Sequence, residues 1–274
     1  MKITFLGGGN MAAALIGGML GKGFDAAAVQ VIEPDAAAGA RLASTFGVRV
    51  TDHPDAASLA CDALVLAVKP QQMRAALAPL AGRLHRTLVI SIAAGLRVEN
   101  LAHWLGAAGQ PYARIVRCMP NTPALAGVGV TGLYAAAEVD REGRSLAERI
   151  MGAVGITLWT DDEARLDAVT AISGSGPAYV FHFIEALEAA ALAQGFGADD
   201  ARRLALGTVA GAVRLAQDSP DSAAELRRKV TSKGGTTEAA LASLATAGWH
   251  DALIAAVEAA AARSRALGDE LGRE

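Results

Sequence analysis

The sequence is poor in the residues from which disulfide scaffolds, metal cages and nucleic-acid surfaces are built. Its 274 residues include two cysteines, Cys61 and Cys118, and five histidines. Because the cysteines are far apart and the histidines occur singly, the sequence predicts neither a disulfide framework nor a metal site. The formal net charge of −3 is too small to predict nucleic acid or an anionic membrane as a partner.

Long apolar runs are also missing. The apolar stretch at the N-terminus ends at Gly7, which is too short for a secretory signal. Charges interrupt the Ala-rich C-terminal segments before the roughly 20 residues that a membrane span requires. We therefore expect a cytoplasmic protein with no membrane partner. Aromatic residues make up only 4% and hydrophobic residues 52%, which suits helices packed closely through small side chains.

The pattern of apolar residues changes near residue 160. Before that point, short apolar runs alternate with helical segments and predict strands at 3–6, 29–32, 48–50, 63–68, 88–92 and 115–118. Such strands indicate a parallel sheet covered on both faces, so we predict an α/β doubly wound domain over 1–160. Helical segments fill the rest, which predicts an all-α domain over 161–274. These helices are apolar on most sides, so self-association is expected.

A glycine-rich turn follows the first predicted strand. The segment from Gly7 to Ala12 fits the pattern G-x-G-x-x-A and opens a helix. Gly7 allows a tight turn, Gly9 lets the backbone approach a pyrophosphate, and Ala12 lets the helix pack on the strand. The helix N-terminus offers free N–H groups to phosphates. The turn therefore predicts dinucleotide binding.

The end of the second strand bears on which dinucleotide binds. Glu33 stands where an acidic residue accepts hydrogen bonds from the 2′-hydroxyl of NAD, which favours NADH. If Glu33 points away, however, Arg41 or Arg49 can reach the 2′-phosphate of NADP. Asp35 is also explained as a helix cap. NADPH and NADH both stay open.

Three further loops follow predicted strands, at the edge where open α/β sheets bind ligands. Lys69, before Pro70, is either a solvated charge or a contact to phosphate or ribose. Small residues at Ala93 and Ala94 let a flat ring approach the backbone. Asn121, between two prolines, either hydrogen-bonds a carboxamide or belongs to a rigid turn.

Two loops in the second half precede helices. The loop from Ser173 to Tyr179 is explained as a helix cap with a proline in the first turn, and its glycines suggest close packing. The loop from Thr231 to Glu238 offers hydroxyls and N–H groups, which make an anion cradle suited to a carboxylate. A capped helix without a ligand explains this loop equally well.

Taken together, these loops resemble the pyrroline-5-carboxylate reductase family over nearly the whole chain. GGGNMA, AVKPQ, SIAAG, MPNTPA, SGSGPAY and VTSKGGTT stand in the family's order and spacing, and the last two are specific to it. The resemblance implies a Rossmann-like domain, an all-α dimerisation domain that interlocks with a second subunit, and the last step of proline biosynthesis. It also implies NADPH or NADH as cofactor and a homodimer or larger homo-oligomer.

The resemblance also implies site residues. The pyrophosphate turn is matched by Gly7, Gly9, Asn10, Met11 and Ala12, and the segments along the cofactor by Ala67, Val68, Lys69, Pro70, Ala93 and Ala94. Positions that meet the substrate are matched by Glu163, Thr236 and Thr237, with Ser232 and Gly235 beside them. Two departures affect the cofactor preference. Glu33 is acidic where members that use the 2′-phosphate often have Ser or Arg, and Lys229 stands where some members have Asn.

Thr237 is the predicted catalytic residue. Its hydroxyl would orient the ring nitrogen of the cyclic imine or relay a proton from water, while positioning supplies most of the acceleration. Glu163 either favours the iminium by its charge or belongs to the domain junction. Two rival functions are a β-hydroxy-acid dehydrogenase and a dinucleotide-binding sensor without turnover. The helix from Gly176 to Gln194 lacks the catalytic lysine that the first rival would need.

Overall fold

A computed structural model describes residues 1–107 and 109–272 of the chain. These residues form two compact units, one of Met1–Ser175 with the residues from Ala260 onward, and one of Gly176–Ala259. The predicted boundary near 160 follows the last strand, whereas the compact units follow packing. The first unit extends past 160 because Val169 packs on a strand of the sheet, 2.8 Å from where a Cβ on Gly132 would lie.

The first unit is built on one sheet of eight strands. The strands are β1 (Ile3–Leu6), β2 (Val29–Ile32), β3 (Arg49–Thr51), β4 (Ala63–Leu66), β5 (Leu88–Ser91), β6 (Ile115–Met119), β7 (Gly129–Ala135) and β8 (Gly155–Trp159). Their order across the sheet is β3-β2-β1-β4-β5-β6-β7-β8. The pairs among β1 to β6 are all parallel. The predicted parallel sheet is therefore confirmed for these six strands.

The last two strands depart from the prediction. β7 runs antiparallel to β6, and β8 runs parallel to β7, so the sheet is mixed. Neither strand shows a continuous apolar run. Gly132 interrupts β7, and β8 lies at the edge of the sheet with Ile156 and Leu158 exposed. Edge strands of this kind carry a weaker sequence signal than strands buried on both faces.

Helices cover both faces of the sheet. In the first unit they are α1 (Asn10–Gly21), α2 (Ala36–Phe46), α3 (Ala56–Leu59), α4 (Pro70–Leu77), α5 (Val98–Leu105), α6 (Arg141–Met151) and α7 (Arg165–Val169). One hydrophobic core cluster joins Phe5 of β1 to Leu15 of α1. The other joins Leu66 of β4 to Met73 of α4 and Leu101 of α5. The two-sided core makes the sheet doubly wound, as predicted.

The second unit is entirely helical. Its helices are α8 (Gly176–Ala193), α9 (Ala198–Asp218), α10 (Ala223–Lys229), α11 (Thr236–Thr246) and the first part of α12 (Trp249–Leu271). Among residues 176–259, the only buried hydrophobic side chains are those of Ala201 and Ala205. Phe181 is 65% exposed and Leu215 is 65% exposed. This unit therefore has almost no hydrophobic core of its own.

No single helix in the described part of the chain is long and apolar enough to cross a membrane. The pair α11 and α12 passes the test of length and composition only when taken together, and the two helices are bent by 50° relative to each other.

Candidate active site

The turn between β1 and α1 is held tightly against the segment that follows β4. Gly7 has φ +97, a conformation that side chains other than glycine rarely adopt. A Cβ at Gly7 would lie 2.8 Å from Cγ1 of Val68 and 2.9 Å from the carbonyl carbon of Ala67. Both the backbone conformation and the packing therefore require glycine here.

Gly9 has the opposite surroundings. Its backbone is extended, with φ −69, and a Cβ built on it would meet nothing within 4 Å. It precedes α1, whose N-terminus has no side-chain cap and no acidic residue in its first turn. The first N–H groups of a helix have no partner within the helix, and its dipole favours an anion there. The open space over Gly9 and the uncapped helix therefore fit the pyrophosphate of a dinucleotide.

Glu33 points toward this turn. Its Oε2 accepts a hydrogen bond of 2.7 Å from the Gly8 N–H, and its Oε1 accepts one of 2.9 Å from the Asp35 N–H. Two backbone donors thus hold the carboxylate beside the glycine turn. A carboxylate in this position can accept from a ribose hydroxyl and repels a phosphate.

The two arginines considered for the 2′-phosphate differ in their environment. Arg49 donates to Oε1 of Gln30 at 2.6 Å and to Oδ2 of Asp55 at 2.5 Å, so its guanidinium is already engaged. The bond from Arg49, together with hydrogen bonds from Ser58, holds the pKa of the Asp55 carboxyl well below its usual range. Arg41 lies exposed on α2 and makes no ion pair or hydrogen bond through its side chain with the described residues. Of the two, only Arg41 is free to meet a phosphate.

The loops that follow β4 and β5 lie at the same edge of the sheet as Gly7. Lys69 is exposed and occupies the position before α4 without capping it through its side chain, and Pro70 lies in the first turn of the helix. Ala93 is buried, whereas Ala94 is exposed. Because β1, β4 and β5 are parallel neighbours, their carboxyl ends bring these loops to one edge, where open α/β sheets bind ligands.

The side chain of Asn121 links two backbone segments of the first unit by hydrogen bonds. It is 7% exposed, its Nδ2 donates to the Ser173 carbonyl at 2.9 Å, and its Oδ1 accepts from the Val130 N–H at 2.8 Å. Both ends of the amide are therefore engaged with backbone. Of the two roles that the sequence leaves open, this geometry favours the rigid turn over a cofactor contact.

Glu163 joins three parts of the first unit. Its Oε1 accepts 2.8 Å from the Val98 N–H at the start of α5 and 3.0 Å from Nη1 of Arg117 in β6. Arg117 is only 4% exposed. Arg117 was not among the predicted site residues, although a charged residue inside the otherwise apolar strand IVRCM is a signal that could have found it. The pair favours a structural role for Glu163 at the junction.

We expect Glu163→Gln to lower the stability of the protein more than its activity. The substitution leaves the buried Arg117 guanidinium without a counter-charge, although the amide oxygen can still accept a hydrogen bond. The free energy of unfolding should fall by about 2–3 kcal/mol, somewhat less than the cost of removing a partner from a buried pair altogether. Chemical denaturation at a fixed protein concentration measures this change. The matched control is Glu138→Gln, because Glu138 is exposed and its side chain has no partner among the described residues. If Glu163→Gln instead lost much of its turnover while its stability was unchanged, Glu163 would take part in the reaction.

In the second unit, α11 begins with two threonines after a glycine-rich loop. The hydroxyls of Ser232, Thr236 and Thr237 make no hydrogen bond with the described residues. Gly235 occupies the N-cap position of α11, so no side chain caps the N-terminus of this helix. Glu238 accepts a 2.6 Å hydrogen bond from the Gly234 N–H and so stabilises the loop. Free hydroxyls and N–H groups at a helix start can hold a carboxylate. Nearby, Lys229 bonds to Asp221, which lowers the pKa of that carboxyl.

Comparisons with known proteins decide between the functions that this geometry allows. Residues 2–95 match the family model described as NADP oxidoreductase coenzyme F420-dependent, and residues 163–267 match the one described as pyrroline-5-carboxylate reductase dimerisation. A pyrroline-5-carboxylate reductase of Pseudomonas aeruginosa is 45% identical over 99% of this chain and 98% of its own length. The chain belongs to the pyrroline-5-carboxylate reductase family. The resemblance carried by the sequence motifs is thus confirmed.

Solved structures of the family agree with the fold. A pyrroline-5-carboxylate reductase from Coxiella burnetii has a TM-score of 0.91 and 40% identity, covering 97% of this chain and 98% of its own. The Plasmodium falciparum pyrroline carboxylate reductase with NADP bound has a TM-score of 0.85 and 30% identity, with 98% of each chain covered. The predicted Rossmann-like sheet followed by a helical dimerisation domain is therefore confirmed.

Membership of the family also settles the predicted activity. The chain is an NAD(P)-dependent oxidoreductase that reduces 1-pyrroline-5-carboxylate to proline in proline biosynthesis. Its substrate is a small molecule, and the match to a dimerisation region indicates homo-oligomerisation. The rival interpretations as a β-hydroxy-acid dehydrogenase or a sensor without turnover are set aside.

Proposed function

We propose how this chain's own residues divide the work of the reductase reaction. Gly7 and Gly9 shape the turn, the N–H groups of Asn10, Met11 and Ala12 meet the pyrophosphate, and the loops with Ala67, Val68, Lys69, Pro70, Ala93 and Ala94 lie along the dinucleotide. The observation that carries this assignment is the open space over Gly9 before an uncapped helix. When bound, the reduced dinucleotide supplies the hydride. Asn121 positions the loop after β6 through its two backbone hydrogen bonds.

The substrate residues are proposed on the loop before α11. A cyclic imine with one carboxylate needs an anion site and a group that orients its ring nitrogen. The hydroxyls of Ser232 and Thr236 and the free N–H groups of Thr236 and Thr237 hold the carboxylate. Gly235 lies beside it and shapes the loop, since its own N–H donates to the Ser232 carbonyl at 3.0 Å. The Thr237 hydroxyl orients the ring nitrogen or passes it a proton from water, because a threonine hydroxyl is too weak an acid to supply the proton alone. Glu163 is a positioning residue in this scheme, since Arg117 and Val98 already occupy its Oε1.

We propose that the chain prefers NADH. The support is the carboxylate of Glu33, which two backbone N–H groups hold beside the pyrophosphate turn. A 2′-hydroxyl can donate to this carboxylate, whereas a 2′-phosphate would bring a second negative charge against it. Of the two arginines considered, only Arg41 is unengaged and could offset that repulsion, and its exposure on α2 makes its contribution weak.

We expect Glu33→Ser to shift the preference toward NADPH. Removing the carboxylate relieves the repulsion and removes the acceptor for the 2′-hydroxyl. The ratio of kcat/KM for NADPH to that for NADH should rise by about tenfold or more, which corresponds to about 1.4 kcal/mol. Initial rates with each dinucleotide at a saturating imine concentration measure this ratio.

Asp35→Ser is the matched control for this experiment. Asp35 caps α2 by accepting from the Ala38 N–H, and serine is an equally good cap. The control removes a carboxylate two residues away while the helix keeps its cap, so the ratio should change little. An unchanged ratio in Glu33→Ser, or an equal shift in both variants, would contradict a specific role for Glu33.

We also propose that two copies of the chain associate through the second unit. The support is the near absence of buried hydrophobic side chains among residues 176–259, together with the match to a dimerisation region. Exposed apolar helix faces of this extent need a cover. Sedimentation of the purified chain should show a homodimer or a larger homo-oligomer, and a monomer at micromolar concentration would contradict it.

A cytoplasmic location remains a proposal, supported by the intracellular dinucleotide that the reaction consumes.

A further inference from the structure

A cleft lies at the amino ends of the parallel strands, opposite the glycine turn. Its volume is about 1080 Å³, and it belongs entirely to the first unit. Asp62 lies directly before β4, Thr87 before β5 and Arg114 before β6. Because these strands are parallel to β1, their amino ends meet at one edge, while Gly7 follows the carboxyl end of β1 at the other. The cleft is therefore separate from the cofactor turn.

The lining of this cleft is strongly basic. It contains two carboxylates, Asp62 and Glu142, along with His85 and five arginines, namely Arg83, Arg86, Arg114, Arg141 and Arg149. The chain as a whole has a net charge of −3, so the excess of positive charge is local and does not reflect composition. A concave surface of one sign concentrates the field and attracts ligands of the opposite sign.

The protein itself neutralises only part of this charge, since the carboxylate of Asp140 pairs with Arg114 and also feels the charge of Arg86. Arg86 and Arg141 are exposed, and neither side chain makes a hydrogen bond or an ion pair within residues 1–107 and 109–272. Arg141 also occupies the first position of α6, where the helix dipole disfavours a cation. Its position is therefore unexplained by the stability of the helix.

The three other arginines are held in place, and two of them, Arg83 and Arg149, make no ion pair with the described residues. Arg83 donates to the Pro79 carbonyl at 3.1 Å, and Arg149 lies over the ring of Phe24 at 5.5 Å from its centre. Arg114 pairs with Asp140 at 3.0 Å, but its buried Nε–H has no hydrogen-bond partner in the described part of the chain. Side chains that are already ordered lose less entropy when a ligand binds.

We propose that this cleft binds an anion that carries a polyphosphate group, of the size of a nucleoside polyphosphate. The guanidinium fork matches phosphate oxygens in geometry and charge, and several arginines around one cleft suit several phosphate groups. The volume lies close to that of small-molecule sites, which are typically about 300–1,000 Å³. The site is distinct from the dinucleotide turn and does not depend on the residues proposed there.

The test is calorimetric titration of inorganic tripolyphosphate into the full-length protein. Saturating NADP⁺ and proline are present throughout, so that the dinucleotide turn and the substrate loop are blocked. We expect one binding event per chain. In Arg86→Ala and in Arg141→Ala, the Kd should rise by about tenfold each, as expected for loss of a charge-assisted contact. Both variants should keep wild-type turnover without tripolyphosphate, which shows that they fold.

Lys22→Ala is the matched control, because it removes one exposed cation of the same unit that does not line the cleft. Its Kd should equal that of the wild type. A parallel titration with ATP distinguishes the sources of the anion. Tighter binding of ATP than of tripolyphosphate identifies a nucleotide, and equal binding identifies the polyphosphate group alone. Absence of binding, or equal weakening by Lys22→Ala and the two arginine variants, would overturn the proposal.

Discussion

Replacing Gly9 by valine is expected to weaken dinucleotide binding strongly without damaging the fold. The backbone at Gly9 is extended, and a Cβ there meets nothing within 4 Å, so a valine side chain is accommodated. It would nevertheless occupy the space through which the pyrophosphate approaches the start of α1. The Kd for the reduced dinucleotide should rise by about 100-fold, or about 2.7 kcal/mol.

This prediction is checked by fluorescence titration of the reduced dinucleotide together with thermal unfolding in its absence. The unfolding midpoint should match that of the wild type. Gly21→Val is the control, because a Cβ at Gly21, at the other end of α1, also meets nothing within 4 Å. Gly7→Val offers a contrast, since positive φ and the contact with Val68 should make it lose stability as well as binding. Wild-type dinucleotide affinity in Gly9→Val would refute the assignment of the turn.

Replacing Thr237 by alanine is expected to reduce turnover while leaving dinucleotide binding intact. Thr237 lies in the first turn of α11, and its hydroxyl has no partner among the described residues, so its loss leaves no buried group unsatisfied. If the hydroxyl orients the ring nitrogen or relays its proton, kcat should fall by about 100-fold, within the range for a single positioned donor or proton-transfer group. Steady-state kinetics with 1-pyrroline-5-carboxylate measures the effect.

Two further variants separate chemistry from structure at this position. Thr237→Ser keeps the hydroxyl and should retain most of the turnover. Thr246→Ala, at the other end of α11, removes a hydroxyl that donates to the Ala242 carbonyl and should leave kcat unchanged. If Thr237→Ala kept wild-type kcat, or if Thr237→Ser were as impaired as the alanine variant, the hydroxyl would have no part in the mechanism.

The parts of the fold that the sequence predicted well are those with strong local signals. Short, mostly apolar runs marked β1 to β6, and the glycine pattern marked the turn at Gly7. β7 and β8 were missed because a glycine interrupts one and the other is a half-exposed edge strand. Partner choice across long sequence separations cannot be read from local pattern, which is why an antiparallel pair was not foreseen.

In the candidate site, too, local sequence signals predicted positions well and long-range contacts poorly. Residue types at the ends of strands predicted where the dinucleotide turn lies, but not what each polar side chain contacts. Asn121 suits a carboxamide by its chemistry, yet the fold brings Ser173 and Val130 to its two ends. Glu163 matched a substrate position, yet it meets Arg117, which lies 46 residues away in sequence. Such long-range pairs are determined by tertiary packing.

This reductase passes hydride from a reduced nicotinamide dinucleotide to 1-pyrroline-5-carboxylate, and we propose that it prefers NADH. The most direct test follows the loss of absorbance of NADH and, separately, of NADPH in the presence and absence of the imine. We expect oxidation that requires the imine, yields proline and is faster with NADH. No imine-dependent oxidation with either dinucleotide, in a protein that still binds both, would contradict the reductase assignment, and faster oxidation of NADPH would contradict the proposed role of Glu33.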